Sequence, residues 1–256
     1  MSTQVRTIHC QEITMNNVTS FKNDANPAFW DTRYGLVKAI ERSDLAARSL
    51  QHYGEWAEPE IDLISGYIED DHHVLEVGSE YGAHTLWLAQ AVGANGRIHV
   101  AEPDRLSFQL LCANVAINGL DNVYAHAFRL GESDAQAGQG GEQGQVRSLD
   151  SMQLTRLDLL KSNVTGDLID LLAGGVDTIR RCRPLIYARM SGVATAEAEV
   201  RALKELGYRC WSHAPHMHNA RNYRNAERNI FPGCVWQNVV AAPTESRFEL
   251  DAHAEL

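Results

Sequence analysis

The sequence predicts an α/β fold: an open, mostly parallel, Rossmann-like sheet with helices on both faces. Three observations point there. Short apolar runs alternate with helical stretches of about 10–15 residues, as successive βαβ units do. The first such run, 72–78 (HHVLEVG), enters a glycine; Gly82 follows four residues on, and a helical pattern follows Gly82. The second run, 97–102 (RIHVAE), ends on an acid, Glu102.

Each element follows from its local pattern. Residues 1–40 are mixed and weakly periodic, and read as a partly ordered N-terminal arm. One domain then spans 41–243 and opens with a helical entry segment, 44–70. A helix starts near Asp44, and Pro59 starts another, because its fixed φ suits a first helical turn. Ile61, Ile64 and Ile68 line one side of that second helix. Strand 72–78 leads to a helix over 83–92, strand 97–102 and a helix over 104–118. Phe108, Leu111, Cys112 and Val115 share a face of the latter. Strand 122–128 comes next. The segment 131–147 is rich in Gly and Gln and reads as a mobile surface loop. The alternation resumes with strand 157–162, helix 166–174, strand 183–188 and helix 194–206. Strands 207–213 and 234–242 close the domain. The polar tail, 244–256, is expected to fray.

Composition narrows the function classes. Of 256 residues, 44% are hydrophobic and 22% charged, which excludes a fibrous or wholly disordered chain. No apolar run approaches the ~18 residues of a membrane span. The first residues are polar and lack a signal-peptide core, so a cytoplasmic protein is expected. The net charge, −10, repels phosphate backbones and disfavours a nucleic-acid partner. Five cysteines lie far apart without a C-x-x-C, which predicts reduced thiols and no metal site.

The chemical signal is the turn Glu76-Val-Gly78-Ser79-Glu80-Tyr81-Gly82. Glycine lets a backbone turn sharply and approach a ligand. In open α/β sheets that crevice, at the carboxyl ends of the strands, is where ligands bind. Glu102 is placed to accept the hydroxyls of a ribose. A dinucleotide site needs G-x-G-x-x-G to seat a pyrophosphate on backbone N–H groups. Here Glu80 stands inside the turn and would repel a pyrophosphate. A sulfonium and an amino group would be tolerated, which favours S-adenosylmethionine over a nicotinamide dinucleotide.

With these residues in view, the chain resembles the FkbM family of S-adenosylmethionine-dependent methyltransferases from about Gly35 to Thr244. The matching blocks are 50–56 (LQHYGEW) with Glu60, the turn VLEVGSEYGAHTL, and 101–120 with Asn114 and Asn118. Further blocks are LDLLKSNVTG (157–166), RPLIYAR (183–189) and the terminal segment 207–243. The resemblance implies a class I methyltransferase fold with an antiparallel last strand. It also implies methyl transfer to a hydroxyl of a saccharide or secondary metabolite. Glu76, Gly78, Ser79, Tyr81, Gly82, Thr85, Glu102 and Pro103 would hold the cofactor. Asn163, Tyr53, Glu55 and His213 are the candidates for the acceptor side.

The chain departs from the family where acids are usual. Glu76 replaces Asp, Asn163 replaces Asp, Thr165 replaces Glu, and Arg189 stands where a third acid is expected. An amide cannot serve as a base at neutral pH, though it can position by hydrogen bond. Two readings follow: a methyltransferase with a changed acceptor, or a methyltransferase-fold scaffold in a biosynthetic complex. The partners expected are a small-molecule or saccharide acceptor, and a second copy or a biosynthetic protein is left open. His213, His216 and His218 lack a placed carboxylate or cysteine, so no metal is expected. Glu132 is a candidate for the adenine amine, and His84 and Lys161 read as packing residues.

Overall fold

The computed structural model describes residues 29–40, 44–135, 145–250 and 255–256. Most of the expected arm lies outside these residues. Its last part forms a hairpin, β1 (Trp30–Thr32) and β2 (Gly35–Val37), paired antiparallel. Tyr34 and Val37 of this hairpin are buried. Two asparagines anchor it as if they were a neighbouring strand. Asn118 accepts from Leu36 N (2.9 Å) and donates to Leu36 O (2.7 Å), and Asn114 does the same for Lys38 (2.7 and 2.9 Å).

Helix α1 (Leu45–Tyr53) begins at Asp44, whose Oδ1 accepts from Ala47 N at 2.8 Å and so caps an orphan donor. Gly54, at φ 71°, ends it in the left-handed conformation. Helix α2 (Glu58–Ser65) carries Pro59 in its first turn and buries Ile61 and Ile64. Ile68 lies beyond the end of α2 and is half-buried.

The expected alternation then appears in order. Strand β3 (His73–Val77) leads to α3 (Ala83–Ala91), β4 (Arg97–Ala101), α4 (Arg105–Ile117) and β5 (Val123–His126). The Gly- and Gln-rich segment lies mainly outside the described residues. Its flanks, β6 (Arg129–Leu130) and β7 (Val146–Arg147), pair parallel. Strand β8 (Leu159–Ser162) is followed by two short helices, α5 (Leu168–Ala173) and α6 (Val176–Cys182). Sequence reading found only the first, because Gly174-Gly175 breaks the pattern and the second is too short to show a period. Strand β9 (Leu185–Arg189), α7 (Val193–Glu205), β10 (Tyr208–His213) and β11 (Asn238–Pro243) complete the chain. Residues 234–237, expected as strand, instead close the preceding loop: Met217 N donates to Cys234 O and Trp236 N to Pro215 O.

The sheet order is β10-β11-β9-β8-β3-β4-β5. Strand β11 runs antiparallel to both neighbours, and the remaining pairs are parallel. Helices α2, α3 and α4 cover one face, through Ile64, Leu88 and Leu111 on Val74, Ile98 and Val100. Helices α5, α6 and α7 cover the other, through Leu171, Ile179 and Leu203 on Leu75, Leu160 and Ile186. The tail is held rather than frayed where it is described. Phe248 packs edge-on against Tyr67 and Trp211, and Leu256 N donates to Cys210 O at 2.8 Å. Among the described residues, no helix is long and apolar enough to cross a membrane.

Candidate active site

A cavity of about 590 Å³ opens at the carboxyl ends of β3, β4 and β8. The glycine turn contributes Gly78, Glu80 and Tyr81 to its wall, and the segment after β4 contributes Glu102, Pro103, Asp104 and Ser107. Asn163 and Val164 enter from β8, Asp44, Leu45 and Ala46 from the start of α1, and Trp56 and Trp236 from the loops above. A second cavity of about 360 Å³, lined by His99, His126 and Phe128, contains none of the turn residues.

The turn is held in an unusual conformation. Gly78, Glu80, Tyr81 and Gly82 have φ of 81°, 44°, 68° and 85°. For the two non-glycines this costs on the order of 1–3 kcal/mol each. Contacts from distant elements hold them there. Glu80 accepts from Trp56 Nε1 and, at 2.7 Å, from Arg189 Nη1. Tyr81 O accepts from Asn114 Nδ2 at 2.7 Å, and its hydroxyl donates to Asp44 Oδ2 at 2.7 Å. At Gly78 a Cβ would stand 2.7 Å from Val164 Cγ2, so the close approach requires glycine.

Glu102 is presented by three donors. Ser79 N and Oγ donate to its Oε2 at 2.9 and 2.8 Å, and Asp104 N donates to Oε1 at 3.0 Å. A carboxylate offers about four lone-pair sites, so capacity remains toward the cavity.

Behind the turn lies a buried charged cluster. Strand register places Glu76, Lys161 and Tyr187 side by side on the α2–α4 face of the sheet. The two-residue period of a strand puts Asn163 and Arg189 on the same face, nearer the cavity. Lys161 Nζ bonds Asn163 Oδ1 and lies 3.5 Å from Glu60 Oε2. Arg189 donates to Asn163 O at 2.9 Å, reaches Glu60 Oε1 at 3.4 Å, and stacks 4.0 Å over the Trp236 ring. Arg189 therefore pairs with the acid that entered the turn.

Asn163 is a donor by necessity. Its Nδ2 donates to Glu76 Oε1 (2.9 Å) and to Gly78 O (2.7 Å) while its Oδ1 accepts from Lys161. An aspartate could make neither donation and would face the Glu76 carboxylate.

Burial raises the Glu76 carboxyl to about 7, against the opposing pull of Lys161 and the hydrogen bonds from Thr85 and Asn163. Burial likewise raises Glu58 to about 7, opposed by Tyr34 and Arg33. Both bind their proton more tightly in the folded chain. Their contribution to stability is complete below about pH 4.5 and is lost as pH rises through about 7. Unfolding free energy measured in urea should therefore fall across this range, by on the order of 3 kcal/mol from Glu76. Glu76→Gln should remove that share of the slope; an unchanged slope would contradict the assignment.

The structure sorts the expected site residues. Gly78, Tyr81, Glu102, Pro103 and Asn163 line the cavity. Glu76, Ser79, Gly82 and Thr85 stand behind it; Thr85 Oγ1 donates to Glu76 Oε2 at 2.5 Å. Tyr53, Glu55 and His213, expected on the acceptor side, do not line it. The Tyr53 hydroxyl donates to Arg228 O (3.1 Å) and accepts from Ile230 N (2.6 Å). Glu55 accepts from Arg33 Nε (2.9 Å), Asn219 Nδ2 (2.9 Å) and Tyr223 N (2.8 Å). Both thus fasten the 215–236 loop to α1 and the hairpin. His213 Nδ1 shares a hydrogen bond with the Tyr187 hydroxyl at 2.8 Å. His84 bonds Trp56 O at 2.8 Å as a packing residue, and Glu132 is exposed outside the cavity wall. Glu55→Gln should lower stability by about 1–3 kcal/mol, the cost of weakened charged hydrogen bonds. It should leave ligand affinity at the cavity unchanged, which calorimetry checks.

Sequence reasoning missed Asp44, Leu45, Ala46, Asp104, Ser107, Val164 and Trp236 as cavity residues. Asp44 and Asp104 were legible as helix N-caps, since each precedes an apolar-periodic run.

No protein-family model matches the sequence, and no curated protein does. Solved structures do. The methyltransferase FkbM from Methylobacillus flagellatus KT matches with a TM-score of 0.51 at 15% identity, over 67% of this chain and 44% of that one. The present chain thus spans less than half the length of that protein. Precorrin-6y C5,15-methyltransferase from Geobacter metallireducens GS-15 matches with a TM-score of 0.50 at 15% identity, over 84% of this chain and 94% of that one. The strand order and the single antiparallel strand decide the architecture. The fold is the class I methyltransferase fold. At such identities the likeness concerns the fold, and the function rests on the site.

Proposed function

We propose that the chain is an S-adenosylmethionine-dependent methyltransferase that methylates a hydroxyl of a small molecule, a saccharide or secondary-metabolite intermediate. The observation that carries this reading is Glu102, held by three donors in the wall of a cavity that the glycine turn also lines.

The residues present fit the cofactor. The cavity, about 590 Å³, falls within the range of about 300–1,000 Å³ typical of small-ligand sites. Among the described residues its lining holds Asp44, Glu80, Glu102 and Asp104 and no Lys, Arg or His. That field suits a sulfonium and an amino group and opposes a pyrophosphate. When bound, the cofactor supplies an electrophilic methyl group. The chain supplies the rest. Glu102 would accept hydrogen bonds from the ribose hydroxyls. The backbone from Gly78 to Tyr81 would border the cofactor, and Trp56 and Trp236 would wall the same cavity. Glu80, which lines the cavity with its side chain 21% exposed, would orient an acceptor hydroxyl and take its proton. Asn163 holds Glu76 and the turn in place.

The scaffold reading draws on Asn163, whose amide has replaced the acid usual in the FkbM family. Methyl-tritiated S-adenosylmethionine, incubated with the protein and a pool of hydroxylated small molecules, distinguishes the two. Label should pass to the small-molecule fraction and drop by about 10²–10⁴-fold in Glu80→Gln, the worth of a general base. No transfer to any acceptor, with cofactor bound, supports the scaffold.

A further inference from the structure

We propose that the cavity beside His99 and His126 is a second ligand seat, which takes an uncharged planar nitrogen heterocycle of one or two rings. This seat does not depend on the methyltransferase reading.

Strand register puts His99 beside Leu75 of β3 and Tyr124 of β5, on the face that α5, α6 and α7 cover. His126 lies two residues beyond Tyr124 and shares that face. The three helices pack on β3, β8 and β9. Above β4 and β5 the facing wall is instead Arg147 of β7, with Ser151 and Met152 of the turn that follows. The enclosed space is about 360 Å³, at the small end of ligand sites. Among the described residues, none lines both this cavity and the one that holds Glu102.

The two imidazoles form one flat wall. His99 Nδ1 and His126 Nε2 lie 3.1 Å apart, the ring centroids are 5.4 Å apart, and the planes agree within 8°. So short a nitrogen contact at that centroid distance sets the rings edge to edge in a common plane, joined by an N–H···N bond. Burial pushes His99 down to about 4, with His126 adding to the fall, and burial lowers His126 as well. The pair is therefore neutral at pH 7. Whichever ring donates the shared proton, the outer nitrogens offer one donor and one acceptor. Those nitrogens, His99 Nε2 and His126 Nδ1, have no partner among the described residues, and neither is sealed from solvent. Phe128 extends the wall, 5.2 Å from His126 at 29°, and Met152 adds a thioether, which favours contact with aromatic rings.

The charge of the seat is already balanced. Arg147 Nη1 lies 3.3 Å from Asp134 Oδ2, and the Gln145 amide oxygen, turned to accept, takes Nε at 3.1 Å and Nη2 at 3.2 Å. An anion would have to displace these partners. A cation would meet no carboxylate among the described lining residues. The shared proton fills the place of a metal ion between the imidazoles, and among the described residues no third His, Cys, Asp or Glu gathers there. A flat, uncharged ring with its own donor and acceptor satisfies both outer nitrogens and the apolar walls.

The chain has eleven histidines, so histidine labelled with nitrogen-15 gives a small set of ring signals. His99→Phe and His126→Phe assign the two that matter. Three probes are titrated at neutral pH: benzimidazole, with a ring donor and acceptor; indole, with a donor alone; and benzimidazole-5-carboxylate, which adds a charge. Each titration is run with and without saturating S-adenosylhomocysteine. Benzimidazole should shift both signals with a Kd about tenfold below that of indole, the worth of one hydrogen bond, and the carboxylate should bind no better than indole. S-adenosylhomocysteine should leave the benzimidazole Kd within about twofold. His126→Phe should bring benzimidazole to within about threefold of indole. No shift of either signal up to about 5 mM benzimidazole, equal binding of benzimidazole and indole, or a preference for the carboxylate overturns the proposal whatever the variant does. So does loss of the shifts when S-adenosylhomocysteine is added, which would place the probe in the cofactor cavity. Failure of S-adenosylhomocysteine to bind overturns the methyltransferase reading instead, and the series without it still decides the second seat.

Discussion

Lys161→Met should lower the unfolding free energy by about 3–5 kcal/mol, the usual cost of removing one partner from a buried ion pair. Lys161 is wholly buried, and its ammonium is the group that faces both Glu60 and the Asn163 amide oxygen. Methionine refills the volume of the stem but leaves Asn163 Oδ1 without its donor. It also leaves Glu60 to Arg189 and the Asn238 amide, each 3.4 Å away. The Glu76 carboxyl, already raised to about 7 by burial, loses the cation that opposes the rise. The double variant Lys161→Met/Glu60→Gln should recover part of the loss, because taking out both charges is cheaper than stranding one. Urea unfolding at neutral pH measures both. A single-variant loss under about 1 kcal/mol would contradict a buried ion pair at Lys161 that contributes to stability.

Glu102→Gln should weaken S-adenosylhomocysteine by on the order of 100-fold, about 3 kcal/mol. Two effects combine. The ribose loses a charged acceptor. The new amide also brings donors against Ser79 N and Oγ or Asp104 N, all of which donate to the carboxylate. The turn between β3 and α3 is therefore loosened at the moment it is needed. Thermal unfolding without ligand separates this from global damage: the variant should melt within a few degrees of the wild type. An affinity loss below about threefold would remove Glu102 from the ribose role.

The sheet was legible because its evidence is local. Apolar runs, glycine turns and helical periods each occupy a few consecutive residues, so β3, α3, β4, α4, β8, β9 and α7 could be read in order. The same is true of Gly78, Tyr81, Glu102 and Pro103, which sit within four residues of a strand end. What escaped is what depends on distant partners. The hairpin at 30–37 has no period of its own and is ordered by Asn114 and Asn118 on α4. Phe248 is a lone aromatic in a polar tail until Tyr67 and Trp211 receive it. Tyr53 and Glu55 carry polar groups shortly before the first strand of the sheet, yet their partners lie in the 215–236 loop, more than 160 residues away. At 163 and 189 the sequence suggested lost acids. The structure shows a rearranged set: Asn163 donates to Glu76, and Arg189 pairs with Glu80. Neither exchange is visible from spacing, because each joins residues from different strands and turns.

The most direct test of the account is calorimetric titration of the purified protein with S-adenosylmethionine and S-adenosylhomocysteine, with a nicotinamide dinucleotide as the control. The account predicts one site per chain with micromolar affinity, about −8 kcal/mol, for both sulfur ligands and no heat from the dinucleotide. Well-folded protein that binds neither sulfur ligand, or that prefers the dinucleotide, would contradict it.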